Sequence, residues 1–426
     1  MLNIVILMIC IQQVEVQEFT LDNGLKLLVY EDHFAPVISV QVHYRVGSYN
    51  EPVGMTGISH ILEHMAFKGT KRYGPGEYNL LIEEAGGIEN AFTSVNRTVY
   101  FANLGKDRYE LALKLEADRM LNLLLAEDQF MPERQVIMEE RRLRENDPYS
   151  SFFEQLDMIS YSIHPYRHPI IGFMADIERV TRDDVYRWYR KYYNPANAVV
   201  VVAGDVTGDE AYHAVRKYFG SLRGKEIEEI PFEEPPQRGE KRFEYKKNVQ
   251  TPALAIQNHT VDIVHEDLCA LDVLSMILSQ GLSSRFELNI VRGQGLAINA
   301  DVYHLKYKYG GSFIVFAVPQ TGVNLSDLET AILKGIDSLK TVEVTDAELE
   351  KARNQSLASA IYQQDSPAGI GMRIGWWEIE AGGWRNLNQY LEEIMNVEKD
   401  DIMRVAQTYL TKGNRTVGYL LPEEEE

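Results

Sequence analysis

The chain has 426 residues, of which 45% are hydrophobic and 25% are charged, the composition of an ordinary globular protein. Single cores rarely grow past about 250 to 300 residues, so we expect two domains. A net charge of -20 argues against non-specific binding to nucleic acid or to an anionic membrane surface, and mildly favours basic partners. Cys10 and Cys269 are the only cysteines, which excludes a disulfide framework and a cysteine-rich zinc module. Any metal must therefore be held by histidine and carboxylate.

The first segment of interest is apolar: residues 2–11 read LNIVILMICI. This run is too short for a membrane helix, which needs about 20 residues, but it suits the apolar part of a signal peptide. It lacks a basic start and a clear cleavage site. Two interpretations stay open: a periplasmic protein if residues 1–16 are the remnant of a signal peptide, and a cytoplasmic one if they are a mis-assigned start or a first strand. No other segment of the sequence is expected to span a membrane.

The next stretch, residues 57–70, reads GISHILEHMAFKGT and predicts a helix over residues 57–67. In such a helix His60 and His64 lie one turn apart on the same face, with Glu63 beside them. Other residues of this stretch, Ile61, Leu62, Met65 and Phe67, are apolar, so the helix is expected to be largely buried and its polar face to need partners. A hydrogen-bonded polar cluster is one interpretation. The other is a metal site, because H-x-x-E-H is the pattern of inverted zinc peptidases, or inverzincins.

Two later stretches bear on that choice. Residues 86–101, GGIENAFTSVNRTVYF, begin with two glycines that permit a turn and continue as a predicted strand. Residues 133–140, ERQVIMEE, predict a helix on which Glu133 and Glu140 share a face, because they are seven residues apart. Glu139 points about 100° away and is expected to be solvated.

Residues 224–250 are charged and contain prolines without apolar periodicity, and they predict a linker between domains at residues 12–223 and 251–426. The two halves end alike, with WYRKYYNPANAVVVVAGDV in the first and VAQTYLTKGNRTVGYLLP in the second, each typical of a helix, a turn and a strand. This likeness suggests an internal duplication. The predicted fold class is α+β: two homologous domains, each an antiparallel sheet backed by helices, facing each other across a cleft.

Over nearly its whole length the chain resembles the pitrilysin family of zinc peptidases, especially the short members related to subunits of the mitochondrial processing peptidase. The resemblance is carried by HILEHMAFKGT, GGIENAFTSVNRTVYF, ERQVIMEE and HPYRHPIIG, at residues 60–70, 86–101, 133–140 and 164–172. It implies one zinc ion per chain. The ligands would be His60, His64 and Glu140, and Glu133 would be the supporting carboxylate behind them.

The activity that this resemblance implies is peptide hydrolysis by a zinc metalloendopeptidase. Three protein ligands leave one zinc position for water, whose pKa the metal lowers, and Glu63 would take the proton as general base and pass it to the leaving amine. The resemblance also makes residues 86–101 an edge strand lining the cleft. There an extended or unfolded peptide would pair with the backbone of Asn90, Ala91 and Phe92.

The second half differs from the first at the corresponding motif. Aligning residues 271–285 with residues 59–72 places Asp272, Ser275 and Met276 where the first half has its two histidines and its glutamate. The second half is therefore expected to hold no metal site. In the family one domain bears zinc, and the other helps to close a chamber over the substrate.

A further departure concerns substrate contacts. Many relatives carry R-x-x-x-G-L-A-Y in the second domain, but here residues 291–303 read VRGQGLAINADVY, with Arg292 present and Ile298 in the place of the tyrosine. Arg292 is expected to bind substrate. The missing tyrosine favours a hetero-oligomer in which a related subunit supplies the Arg and Tyr pair, whereas a homodimer is expected if Tyr303 replaces it. A non-catalytic assembly subunit is the alternative function, but such relatives usually lose ligand or base residues.

Overall fold

The computed structural model describes residues 13–229, 231–362 and 364–423. The predicted signal segment at residues 2–11 lies outside these ranges. In the described part of the chain, no helix is long and apolar enough to cross a membrane.

The described residues of the first half form six strands and eight α-helices. Its strands are β1 (Gln17–Thr20), β2 (Lys26–Glu31), β3 (Val37–Tyr44), β4 (Ile88–Thr93), β5 (Thr98–Gly105) and β6 (Ala198–Gly204). Its helices are α1 (Ile58–Met65), α2 (Glu77–Glu84), α3 (Tyr109–Asn122), α4 (Glu127–Asn146), α5 (Pro148–Ser160), α6 (Met174–Arg179), α7 (Arg182–Tyr192) and α8 (Gly208–Phe219).

The second half repeats this plan with fewer elements. Its strands are β7 (Lys241–Lys247), β8 (Ala253–Thr260), β9 (Ala297–Tyr307), β10 (Gly310–Pro319) and β11 (Arg415–Pro422). Its helices are α9 (Leu268–Ser279), α10 (Leu325–Ser338), α11 (Asp346–Tyr362), α12 (Pro367–Glu380), α13 (Asn386–Asn396) and α14 (Lys399–Tyr409), and a short π-helix spans Glu287–Val291.

The α+β class and the two similar halves are confirmed, but the sheets are mixed rather than purely antiparallel. The strand orders are β1-β2-β6-β3-β5-β4 and β7-β11-β8-β10-β9. The strand β6 is inserted between β2 and β3, which run in opposite directions, so it must be parallel to one neighbour, and that neighbour is β2. The strand β11 sits between β7 and β8 in the same way and runs parallel to β7.

The strand β7 lies inside the segment predicted as a linker, residues 224–250. Residues 241–247 pair with β11, so the irregular connection between the two sheets ends at residue 240. Phe243 and Tyr245 alternate with charged residues in this strand. The charge of the segment concealed a period-two pattern that is typical of an edge strand.

Each sheet is covered on one face by a helix from the other half of the chain. The helix α12 packs across β6, β3 and β2, and α5 packs across β11, β7 and β8. Accordingly, one core cluster joins Val199 and Val201 of the first sheet to Ile370 and Ile374 of α12. Another core cluster joins Phe152 of α5 to strands of the second sheet.

Two glycines permit the close approach of α12. A Cβ atom at Gly375 would lie 2.3 Å from Cε1 of His43 on β3, and one at Gly371 would lie 2.8 Å from Nε2 of Gln41. Gln41 also donates a hydrogen bond to the carbonyl of Ala368 at 2.9 Å. The two halves therefore share packed surfaces and are not two independent cores joined by a tether.

Candidate active site

The helix α1 is held at its N-terminus by a buried carboxylate. Both oxygens of Glu51 accept backbone hydrogen bonds there, from Gly57 at 2.7 Å and from Ser59 at 2.9 Å. Gly57 has φ of 85°, and a Cβ atom there would lie 2.2 Å from the carbonyl oxygen of Ile171, so only glycine fits. The predicted helix thus exists, spanning Ile58–Met65, with its start fixed by packing.

The histidines of α1 meet a carboxylate from α4. The Nε2 atoms of His60 and His64 each lie 3.7 Å from Oε2 of Glu140, and the centroids of the two rings are 4.6 Å apart. Each of these three residues offers one potential ligand atom, and the three atoms all lie within 4.8 Å of one another. Within the described residues, these three side chains form a group that could hold a metal ion, and it is called the metal-ligand group below.

The donor set fits a zinc ion. With Zn–N and Zn–O distances near 2.0 to 2.2 Å, ligand atoms in tetrahedral coordination are about 3.4 Å apart, close to the 3.7 Å separations observed here. Two imidazoles and one carboxylate make three protein ligands, the number found in catalytic zinc sites that keep one open position. Burial, followed by the nearby His64 and Arg144, lowers the pKa of His60 to about 3, so its imidazole is neutral and able to bind metal.

The surrounding side chains orient these ligands. Nδ1 of His64 donates to Oε1 of Glu133 at 2.9 Å, which directs Nε2 toward Glu140, while Nζ of Lys68 lies 2.5 Å from Oε2 of Glu133. Arg144 donates to Oε1 of Glu140 at 3.3 Å, and this leaves Oε2 facing the histidines. Glu133 therefore contacts the ring nitrogen of His64 that does not face Glu140.

Glu63 lies next to this group on the buried side of α1. Oε2 of Glu63 accepts a hydrogen bond from Oγ1 of Thr93 at 2.6 Å, and the side chain is 9% exposed. Burial raises the pKa of Glu63, with the Thr93 hydrogen bond opposing that shift. A carboxylate with a raised pKa is a better proton acceptor, which suits the role of a general base.

The strand β4 forms one edge of the first sheet and contains Asn90, Ala91 and Phe92. Its described ladder partner is β5, so its other side is open to an extended chain. The strand ends at Thr93, which places this edge beside Glu63. Oδ1 of Asn90 accepts the backbone N–H of Ala91 at 2.8 Å, and the ring of Phe92 lies under the guanidinium of Arg97.

The remaining predicted substrate residue is in a different place. Arg292 follows the π-helix and donates to Glu287 at 2.7 Å, and no described contact joins it to the histidine pair. Ile298 and Tyr303 lie on β9, the edge strand of the second sheet, where they are 53% and 47% exposed. The structure therefore brings together the first-half residues of the predicted site but not Arg292.

Two family models match this chain. Residues 26–173 match the insulinase family, peptidase family M16, and residues 179–356 match the model described as the peptidase M16 inactive domain. The chain is also 33% identical to the zinc protease PqqE of Helicobacter pylori, over 95% of this chain and 93% of that protein. This chain belongs to peptidase family M16. The match to the model described as inactive begins within the first half, at residue 179, and extends to residue 356 of the second half, so the histidine pair lies outside it.

Other similar proteins agree with this membership. An uncharacterized zinc protease of Bacillus subtilis, YmxG, is 27% identical over 93% of this chain and 96% of its own length. The crystal structure of a protease from Helicobacter pylori superposes with a TM-score of 0.91 at 32% identity, over 96% of this chain and all of that one. A Pseudomonas fluorescens structure described as a peptidase M16 inactive domain shares the fold, with a TM-score of 0.84 at 18% identity over 97% of this M16 chain and 99% of that one.

Several residues that serve the M16 site were missed by the sequence analysis. Thr93 holds Glu63, Lys68 balances Glu133, Arg144 orients Glu140 and Glu51 caps α1. The i,i+4 spacing of Glu140 and Arg144 was a local signal that could have revealed their pairing. Glu51 and Thr93 carry no such signal, because their contacts depend on how a loop and a sheet edge fold against α1.

Proposed function

We propose that this M16 chain is a zinc-dependent endopeptidase that hydrolyses unfolded peptides or extended segments. The convergence of His60, His64 and Glu140, contributed by two separate helices, is the observation that carries the proposal. A helix turn explains why two histidines meet, but no local geometry explains why α4 presents a carboxylate to both of them. The names of the similar proteins, zinc proteases, support the same metal and reaction class.

Zinc, when bound, would supply Lewis acidity that acidifies a water molecule and polarises the scissile carbonyl. The chain's own residues would perform the remaining steps. Glu63 accepts the proton from the attacking water and later gives it to the nitrogen of the leaving amine. Thr93 holds the Glu63 carboxylate through its hydrogen bond, and Glu133 holds the ring of His64.

The substrate would lie along β4. An edge strand binds through backbone hydrogen bonds, so Asn90, Ala91 and Phe92 would hold many side-chain sequences but require an extended chain. Backbone binding next to Glu63 explains why we expect unfolded segments to be cleaved and stable folded domains to resist. A folded domain that was degraded as fast as a short peptide would contradict this part of the proposal.

The decisive test compares Glu63→Gln with wild type. We expect Glu63→Gln to retain about one zinc per chain and to lose peptide cleavage by roughly 10² to 10⁴-fold, because the substitution removes the proton acceptor but no ligand. Zinc content by elemental analysis and cleavage of an internally quenched peptide measure the two properties. Glu84→Gln, an exposed glutamate on α2, is the matched control and should match wild type in both.

Full turnover by Glu63→Gln would reject the mechanism. A wild-type protein that binds zinc but cleaves none of the peptides tested would support the alternative of a non-catalytic assembly subunit.

We also propose that a related subunit supplies a tyrosine that contacts the substrate. The motivation is Ile298, which is half exposed on the edge strand β9 and cannot donate a hydrogen bond to a developing oxyanion. One such donor is worth on the order of a hundredfold or more in rate. We therefore expect the isolated chain to be slow, and cleavage to rise by about that factor in an equimolar mixture with the M16 relative encoded nearest to it.

Full activity of the isolated chain, unchanged by the mixture, would reject this division of labour. A Tyr303→Phe variant then distinguishes the remaining case. If the isolated chain is fully active and Tyr303→Phe slows it, Tyr303 replaces the missing tyrosine within a homodimer.

A further inference from the structure

A cavity of about 710 Å³ lies in the second half of the molecule. Its walls come from α9, α11, α12 and β9, with Arg97 contributed by the first half. In the first half α1, α4 and the edge strand β4 surround the metal-ligand group, so the cavity takes the corresponding position in the second half. Its size suits a peptide end or a compact organic molecule.

The cavity wall contains one carboxylate that is already balanced. Asp272 accepts hydrogen bonds from His304 at 2.7 Å, from Lys306 at 2.8 Å and from Tyr390 at 2.6 Å. Arg97 and Arg373 line the same cavity. Since Lys306 and Asp272 offset each other, the described cavity wall keeps an excess of positive charge, in a protein whose net charge is strongly negative.

Arg97 is the part of this wall that most needs an anion. It is 7% exposed, and its described hydrogen bonds go to neutral acceptors, Nδ1 of His43 at 3.3 Å and the carbonyl of Met372 at 3.5 Å. Its Nε is buried without a described partner. The buried carboxylate of Glu380 offsets part of this charge from nearby, but no hydrogen bond joins the two described side chains, and Oε2 of Glu380 accepts from Asn96 at 2.6 Å. A buried guanidinium that no carboxylate directly pairs is costly, and a bound anion would remove that cost.

The neighbours of the cavity point to a peptide as the source of the anion. The guanidinium of Arg97 lies 5.3 Å from the ring centroid of Phe92, so one wall of the cavity borders the open strand β4. The lining also includes Val302 to Lys306 of β9, the edge strand of the second sheet. Edge strands bind extended chains through the backbone.

We propose that this cavity binds a carboxylate of a peptide, with the chain of that peptide extending toward β4. The ligand class rests on the proposed peptidase function, whereas the site rests on the cavity and its cations. The carboxylate is either the C-terminus of the peptide or a side chain of Asp or Glu. Both sources share the chemistry that Arg97 and Arg373 recognise, charge-assisted hydrogen bonding to a planar anion.

Calorimetric titration of the Glu63→Gln protein with three peptides tests the site without hydrolysis. All three share one sequence: the first has an amidated C-terminus and no acidic residue, the second has a free C-terminus, and the third is amidated with one internal glutamate. We expect at least one carboxylate peptide to bind about tenfold or more tightly than the neutral peptide at low salt. The peptide that gains affinity identifies the source of the carboxylate.

Ser359 allows a charge to be placed in the cavity without disturbing the core. It lines the cavity yet is exposed on α11, so Ser359→Asp should fold. We expect Ser359→Asp to reduce the preference for the carboxylate peptide about threefold or more, and the uncharged control Ser359→Asn to keep it. Trp376 and Trp377 also line the cavity, so tryptophan fluorescence should change on binding.

Equal affinity for the neutral and the carboxylate peptides, or a preference that Ser359→Asp leaves intact, would overturn the proposal. Cleavage assays on the wild type separate this failure from that of the proposed function. If wild type cleaves peptides but the carboxylate does not matter, only the cavity proposal fails. If carboxylate peptides bind but nothing is cleaved, the cavity proposal stands and the peptidase function fails.

Discussion

The two halves of the molecule place the same kinds of element around two different sites. In the first half, α1, α4 and β4 surround three potential ligand atoms that lie within 4.8 Å of one another. In the second half, α9, α11 and β9 surround Asp272, which is bound by Lys306, His304 and Tyr390. The comparison teaches that the backbone provides a polar pocket in both halves, and that a few side chains decide whether the pocket offers three potential metal ligands or a carboxylate already paired with Lys306.

The helix α11 takes the place of α4 in the second half, but none of its described residues brings a carboxylate to the cavity. Of its described residues, α11 contributes Ser356, Ser359 and Ala360 to the cavity, where α4 contributes Glu133 and Glu140 in the first half. Replacement at α9 and at α11 explains why the described second half contains no comparable ligand group.

The largest effect should come from removing the α4 ligand. Glu140→Gln takes away one of three protein ligands and its negative charge, and we expect zinc affinity to fall about 10³-fold or more, or about 4 kcal/mol. Competition with a zinc chelator measures it. Glu139→Gln is the matched control, because Glu139 is exposed and pairs with Arg142 on the surface. Equal zinc affinity in the two variants would remove Glu140 from the site.

The corresponding change in the second half should affect stability and not zinc. Although burial favours its neutral form, Lys306 and His304 hold the pKa of Asp272 well below its usual range. Asp272→Asn leaves the Lys306 ammonium without its buried carboxylate partner, and we expect a loss of about 3 kcal/mol in the free energy of unfolding at pH 7. Urea denaturation measures it, with the exposed Asp337→Asn, expected to cost less than about 1 kcal/mol, as control.

The stability difference between wild type and Asp272→Asn should depend on pH, because the pKa of Asp272 is lowered in the folded state. A lowered folded-state pKa contributes stability that is fully present above the unfolded value near 4 and is lost as the pH falls through the folded-state pKa. The difference in the free energy of unfolding between wild type and Asp272→Asn should therefore stay constant from about pH 7 to pH 5 and become smaller below about pH 4. A difference that grows on acidification would contradict the ionised state of Asp272.

The smallest effect should come from the supporting carboxylate. Glu133→Gln keeps the size of the side chain but weakens the hydrogen bond from Nδ1 of His64 and the contact with Lys68, so we expect zinc affinity to fall about 10 to 100-fold. The same chelator competition measures it, and the loss should be smaller than that of Glu140→Gln. A loss as large as that variant's would make Glu133 a direct ligand.

Much of the first-half site could be predicted because its signals are local. His60, Glu63 and His64 are set by one turn of helix, and Glu133 and Glu140 share a face seven residues apart. That the two helices meet came from the family resemblance, since no spacing rule joins residues about seventy-five positions apart. The antiparallel assignment of the sheets was wrong because insertion of β6 and β11 between earlier strands is a long-range event.

The cavity, and the packing of α5 and α12 on the sheet of the other half, could not be predicted for the same reason. Arg97 reads as one polar residue in a turn between two strands, and only the packing of α12 reveals that it is buried against the other half. Gly371 and Gly375 look like poor helix residues until β3 is seen to touch them. Both features depend on contacts between residues far apart in the sequence, from 100 positions for Asp157 and Gln257 to 275 positions for Arg97 and Met372.

The crossing of α5 and α12 constrains the origin of the duplication. A half-length ancestor with this architecture would have had a sheet with one bare apolar face and a helix with no surface of its own to cover. Two copies could each have covered the other's sheet with that helix, so the ancestral protein would have been stable only as a dimer in which the helices were traded. Gene fusion would then have converted an equilibrium between two chains into a permanent intramolecular contact, and one copy could afterwards have diverged at the positions that correspond to His60, His64 and Glu140.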